Sequence, residues 1–145
     1  MRIAFSGTAN SGKTTLLKSF LYTWSNFSTP EKTYRDVLVE KELDHSSSTT
    51  TETQSQVMDF MVDQLIENSK DDCVVYDRCP LDSVAYTLWC NDKNKDGFTR
   101  EFVSEQITLC KESLRNLDII FLCKFDEKKG VKEDGSREAD LQYIK

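Results

Sequence analysis

The sequence predicts an α/β fold in three layers, with a mostly parallel central sheet covered by helices on both faces. Three observations carry this reading. The short apolar runs Arg2-Ile3-Ala4-Phe5-Ser6, Cys73-Val74-Val75-Tyr76 and Ile119-Ile120-Phe121-Leu122-Cys123 do not alternate polar with apolar, as half-exposed strands would. Between them, apolar residues recur at helical spacing. The octapeptide Gly7-Thr8-Ala9-Asn10-Ser11-Gly12-Lys13-Thr14 joins the first run to the first helical stretch, where the chain has to turn sharply.

The elements follow in order. After the first strand, Leu16, Leu17, Phe20, Leu21, Trp24 and Phe27 predict a helix from about Gly12 to Phe27, with Trp24 and Phe27 on its core stripe and Ser28-Thr29-Pro30 as its stop. Asp36-Val37-Leu38-Val39-Glu40 predicts a second short strand. The Ser- and Thr-rich stretch from His45 to Ser55 predicts a surface loop. Val57, Met61 and Leu65 give a helix over Gln56–Ser69, and the run after Lys70-Asp71-Asp72 is a central strand. Pro80 opens a short helix over Leu81–Trp89, and Val103, Ile107, Cys110 and Leu114 form one stripe of a helix over Thr99–Asn116. The run at Ile119 is the fourth strand. Asp126–Arg137 is charged and should be exposed, and Ser136 can cap a last helix. The expectation is one domain over residues 1–145, with a lid-like segment at about 126–137 and a chain that stops one strand early.

The octapeptide fits the pattern G-x-x-x-x-G-K-[ST], and the flanking strand and helix give it chemical meaning. Loop amides converge on phosphate oxygens, and the helix N-terminus adds partial positive charge. Gly7, Asn10, Ser11, Gly12, Lys13, Thr14 and Thr15 are therefore candidate phosphate-binding residues. Lys13 can reach the outer phosphates, and the Thr14 hydroxyl can ligate Mg²⁺. A second constellation, Asp77-Arg78, follows a central strand, where ligand crevices of parallel sheets form. Asp77 can orient magnesium or accept a proton. Arg78 can hold a phosphate through two parallel hydrogen bonds. Glu40, at the end of the expected second strand, is a candidate acceptor ligand.

Composition narrows the partners. With 19 basic and 25 acidic residues the net charge is −6, which argues against a nucleic-acid partner and an acidic membrane surface. No apolar run reaches spanning length, and no basic-then-apolar leader precedes the first strand. The five cysteines form no CxxC, and His45 is the single histidine, so a zinc site is not indicated. Cys110 and Cys123 lie in apolar patterns and are expected in the core. The expected compartment is the cytoplasm, and the sequence leaves a homodimer open. Asn94-Lys95-Asp96 hints at a GTPase, but it follows a helix and Asp77 lacks the D-x-x-G switch.

FSGTANSGKTT, YDRCPLDSVAY and EDGSREADLQY together resemble the P-loop AAA-type kinase family typified by the kinase domain of the bacterial NAD-biosynthesis regulator, with related nucleoside and nucleotide kinases in bacteriophages. The resemblance implies a three-layer P-loop NTPase fold of the nucleotide-kinase kind, here without the family's last strand and helix. It implies ATP with Mg²⁺ on the loop, a catalytic or acceptor-orienting carboxylate at Asp77, an acceptor contact from Arg78 and a supporting acceptor-side carboxylate at Asp82. The match of Asp134, Gly135, Arg137, Asp140 and Tyr143 implies a lid-side element with Arg137 near the transferred phosphate. The expected function is phosphoryl transfer from ATP to a small acceptor, a nucleoside or nucleoside monophosphate. The alternative is a non-catalytic or regulatory ATP-binding module or a plain ATPase.

Overall fold

The first strand is central. In the computed structural model, which describes residues 1–44, 48–68 and 70–125, β1 (Arg2–Ser6) pairs in parallel with β2 (Val74–Asp77) on one side and β3 (Ile119–Leu122) on the other. Phe5 is in register with both Asp77 and Phe121, so the carboxyl ends of the three strands emerge together. That edge of a parallel sheet is where ligands bind.

Pleating sorts the strand residues onto two covered faces. Ile3, Phe5 and Val75 pack with Leu17 of α1 (Lys13–Thr23), backed by Phe20, Leu21 and Phe27. Ala4, Val74 and Tyr76 face the other way, onto Leu65 of α3 (Thr51–Glu67) and Cys79. Met58, Val84 and Cys110 knit α3 to α4 (Pro80–Asp92) and α5 (Arg100–Ser113). Each large side chain fully buried this way contributes roughly 1.5–3 kcal/mol. The result is an α/β fold of the P-loop NTPase kind, with three parallel strands among the described residues.

Several expectations need correction. Residues 36–40 belong not to a strand but to α2 (Tyr34–Glu40), which lies against α3. Asp36 decides this, because its carboxylate accepts the Thr33 amide at 2.6 Å and the Thr33 hydroxyl at 2.8 Å and so starts a helix. Beside β2 the chain makes only a single parallel bridge, Ser28 to Val74, and Pro30 follows, which cannot donate to a ladder. The expected loop reaching Ser55 ends early: Thr50 caps α3 by accepting the Thr53 amide at 3.2 Å. α1 stops at Thr23, and Trp24, expected in the core, is 54% exposed at the rim of an aromatic cluster centred on Phe20. Cys110 is buried as expected, whereas Cys123 is only half-buried. The expected last helix and Ser136 lie outside the described residues, as do the lid-like segment and Arg137.

Candidate active site

The loop between β1 and α1 has three positive-φ residues, Gly7 (140°), Asn10 (60°) and Gly12 (83°). Glycine is required at the first for two reasons: its φ, and the close passage of the Cys123 carbonyl, which a Cβ would strike. Gly12 is the N-cap of α1 and brings no side chain to cap it. The first amides of a helix have no intrahelical acceptor, so they point into the site. Lys13, only 6% exposed, curls back into the loop. Its ammonium donates to the Gly7 carbonyl at 2.7 Å, to the Thr8 carbonyl and to Ser11 Oγ at 3.1 Å. Burial, reinforced by the nearby Arg78 charge, pulls the Lys13 pKa down to about 8.

Asp77 ends β2, and its Oδ2 accepts the Thr14 hydroxyl at 3.1 Å. Arg78 follows with φ 81°, an unusual conformation for a non-glycine residue and one found at functional sites. The twist turns its guanidinium back, and Nη1 donates to the Gly7 carbonyl at 3.1 Å and to Asp82 Oδ1 at 3.2 Å. Asp82 Oδ1 also accepts the Gly7 amide at 2.9 Å, while Oδ2 accepts the Cys79 amide at 3.0 Å. One carboxylate thus fastens the phosphate loop, the turn after β2 and the start of α4 to each other.

Two cavities meet here. The first, about 220 Å³, is lined by loop residues Ala9–Thr15 with Thr33, Tyr34, Arg35, Asp77 and Arg78. The second, about 170 Å³, runs between α1, α2, α3 and the end of β2. Its walls are largely apolar, from Leu17, Phe60, Met61 and Tyr76, with the Gln64 amide among them. Thr14, Thr33, Tyr34, Asp77 and Arg78 line both.

The residues expected from sequence thus divide. Asn10, Ser11, Gly12, Lys13, Thr14, Thr15, Asp77 and Arg78 all line the first cavity, with Gly7 bonded to Lys13 at its root. Glu40, expected to contact an acceptor, is exposed at the end of α2 and pairs with Lys32, because its segment is helix instead of strand. Asp82 lines neither of these two cavities but a third, of about 310 Å³, with Gly7, Thr8, Ala9, Tyr86 and Trp89, and its oxygens accept the Gly7 and Cys79 amides. Tyr86 and Trp89 stack on each other, centroids 5.6 Å apart. Sequence reading missed Thr33, Tyr34 and Arg35, and the signal available for them was the Thr33-x-x-Asp36 capping pattern.

A phosphate loop at the edge of a parallel sheet, with an acid and a base at the end of the adjoining strand, defines a nucleotide-binding domain of the P-loop class. A family model described as an AAA domain matches residues 2–144, and the chain belongs to that family. A comparison with curated proteins finds no match. P-loop AAA domains generally bind ATP with Mg²⁺, and nucleotide hydrolysis or transfer is compatible with such a domain. Thr14 Oγ1 and Asp77 Oδ2 fit this chemistry: two hard oxygen donors side by side suit a small cation that keeps most of its waters. Among the described residues no group of three or more His, Cys, Asp or Glu could hold a metal without such help. None of their helices is long and apolar enough to cross a membrane.

Proposed function

We propose that the protein transfers the γ-phosphoryl group of ATP to a small acceptor, a nucleoside or a nucleoside monophosphate. The observation that supports this best is the junction of the two cavities at Thr14, Thr33, Tyr34, Asp77 and Arg78. A hydrolase needs room only for water beside the phosphate site. Here a second, aromatic-lined cavity opens next to the same carboxylate, suited to a flat ring with a polar edge.

In this reading the loop amides and Lys13 hold the β- and γ-phosphates in the first cavity, and the acceptor lies in the second with its reactive oxygen at Asp77. Thr14 and Asp77 would hold Mg²⁺, which supplies charge neutralisation at the phosphate oxygens. The acceptor oxygen bonds to the γ-phosphorus as the bond to the β,γ-bridging oxygen breaks, and the electron pair of that bond leaves on ADP. When the acceptor is a hydroxyl, its proton passes to Asp77. Arg78, which lines both cavities and is held by the Gly7 carbonyl and Asp82, would neutralise the developing charge from that position. Arg137, expected from the sequence beside the transferred phosphate, belongs to the same proposal as a lid-side contact.

The test is a screen of nucleosides and monophosphates with ATP and Mg²⁺, following ADP release and labelled acceptor together. Transfer confined to one acceptor class supports the proposal. ADP formed at the same rate without any phosphorylated acceptor overturns it in favour of an ATPase or regulatory module.

A further inference from the structure

Tyr34 and Arg35 open α2 and enter the first cavity beside the phosphate loop. The Tyr34 ring carries two guanidinium groups: Arg78 at 5.3 Å from its centroid and Arg35 at 5.8 Å. Ring faces attract cations, so one tyrosine accommodates two like charges beside one cavity. The two arginines differ in their other partners. Arg78 is paired with Asp82 and bonded to the Gly7 carbonyl. Arg35 is exposed, its Nε donates to Tyr34 Oη at 3.3 Å, and it forms no ion pair among the described residues. Lys13 is spent on loop oxygens, and Asp77 is bonded to Thr14. Arg35 is therefore a cation at the mouth of a phosphate cavity with no ion-pair partner among the described residues.

We infer that Arg35 is a catalytic residue of the transfer, its guanidinium contacting the γ-phosphoryl group as the phosphorus leaves the ADP oxygen and bonds to the acceptor oxygen. The inference rests on the phosphoryl-transfer reading of the site and adds to it a residue from α2. A planar fork matches phosphoryl oxygens in a way that an ammonium does not. Charge spread over those oxygens in the transition state is what an arginine in this position stabilises. The Thr33–Asp36 hydrogen bonds fix the turn from which Arg35 projects, so the guanidinium starts from a set backbone position.

The experiment compares wild type, Arg35→Ala and Arg35→Lys in two readouts: turnover, and thermal stabilisation by MgADP with aluminium fluoride, a mimic of the transferring phosphoryl group. Arg35 is at the surface, so both variants should melt like wild type without nucleotide. Arg35→Ala should bind MgATP within about threefold of wild type, lose most of the extra stabilisation by aluminium fluoride, and drop in kcat by about 100-fold or more. Arg35→Lys should restore little of either. An unchanged fluoroaluminate complex or unchanged kcat in Arg35→Ala overturns the inference. So does a raised KM for a monophosphate acceptor at constant kcat, which would assign the guanidinium to the acceptor's own phosphate. Wild type that binds MgATP but forms no fluoroaluminate complex and phosphorylates no acceptor overturns the transfer reading itself and the inference with it.

Discussion

Replacing Asp82 with alanine should loosen the whole phosphate site through its bond to the Gly7 amide. The Asp82 side chain is 4% exposed and Arg78 is 16% exposed, so the intact pair is largely shielded from water. Three donors lose their acceptor together: the Gly7 amide, the Cys79 amide and Arg78 Nη1. Removing one partner of a buried pair costs about 3–5 kcal/mol, because the remaining charge stays buried. Asparagine preserves the Oδ1 contacts but turns an amide toward the Cys79 N–H, so its cost should be about 1–3 kcal/mol. For a domain of this size 1 kcal/mol moves Tm by about 3–4 °C, so Asp82→Ala should melt about 9–20 °C below wild type and Asp82→Asn between the two. Circular dichroism melts and urea unfolding followed by tryptophan fluorescence provide the assay. If Asp82→Ala melted with wild type and showed only a raised acceptor KM, the residue would be an acceptor ligand and the fastening role would be refuted.

Other outcomes follow from the same site. Gly7→Ala should destabilise more than Gly12→Ala in thermal melts, since the first adds a clash with the Cys123 carbonyl to an unfavourable φ while the second has nothing within 4 Å; backbone strain alone costs on the order of 1–3 kcal/mol at such positions. Lys13 titrates at about 8 in the fold against 10.5 for a freely solvated lysine, so between these values the unfolded chain holds more protons and stability should rise with pH. A bound phosphate restores the Lys13 charge, so above a pH of about 8 nucleotide binding should take up a proton, measurable by calorimetry in buffers of different ionisation enthalpy. Absence of uptake about one pH unit higher would mean that the lysine is already charged. Asp77→Asn should retain MgATP affinity within about tenfold and lose about 100-fold or more in transfer rate, and turnover equal to wild type would remove Asp77 from the chemistry.

The parts of the site legible in sequence are those dictated by local physics. Gly7 and Gly12 mark positive-φ positions, and the buried strand before them and the helix after them follow from short-range patterning. Asp77 and Arg78 could be placed because a parallel sheet sends strand ends to one edge. What was misread depends on polar contacts that hydrophobic patterning does not see. Val37, Leu38 and Val39 look like a strand, but only Val37 is buried, and the Thr33–Asp36 bonds commit the segment to helix. Thr53 and Gln54 look like loop residues, yet both are buried at the start of α3, donating to the Asp44 carbonyl and to Thr49 Oγ1. Asp82 was expected as an acceptor-side carboxylate from the resemblance; its bond to an amide 75 positions earlier exists only in the folded chain. Arg35 was missed because the Thr33-x-x-Asp36 pattern announces a helix start but not the phosphate cavity beside it, which forms only in the fold.

The most direct measurement is isothermal calorimetry of ATP with magnesium on wild type and Lys13→Ala. The account predicts one nucleotide bound per chain by wild type, and affinity at least about 100-fold weaker in the variant, since the ammonium at the centre of the loop contributes charge-assisted bonds that no neighbour replaces. Folded wild type that takes up no nucleotide, or a variant that binds as tightly as wild type, would contradict it.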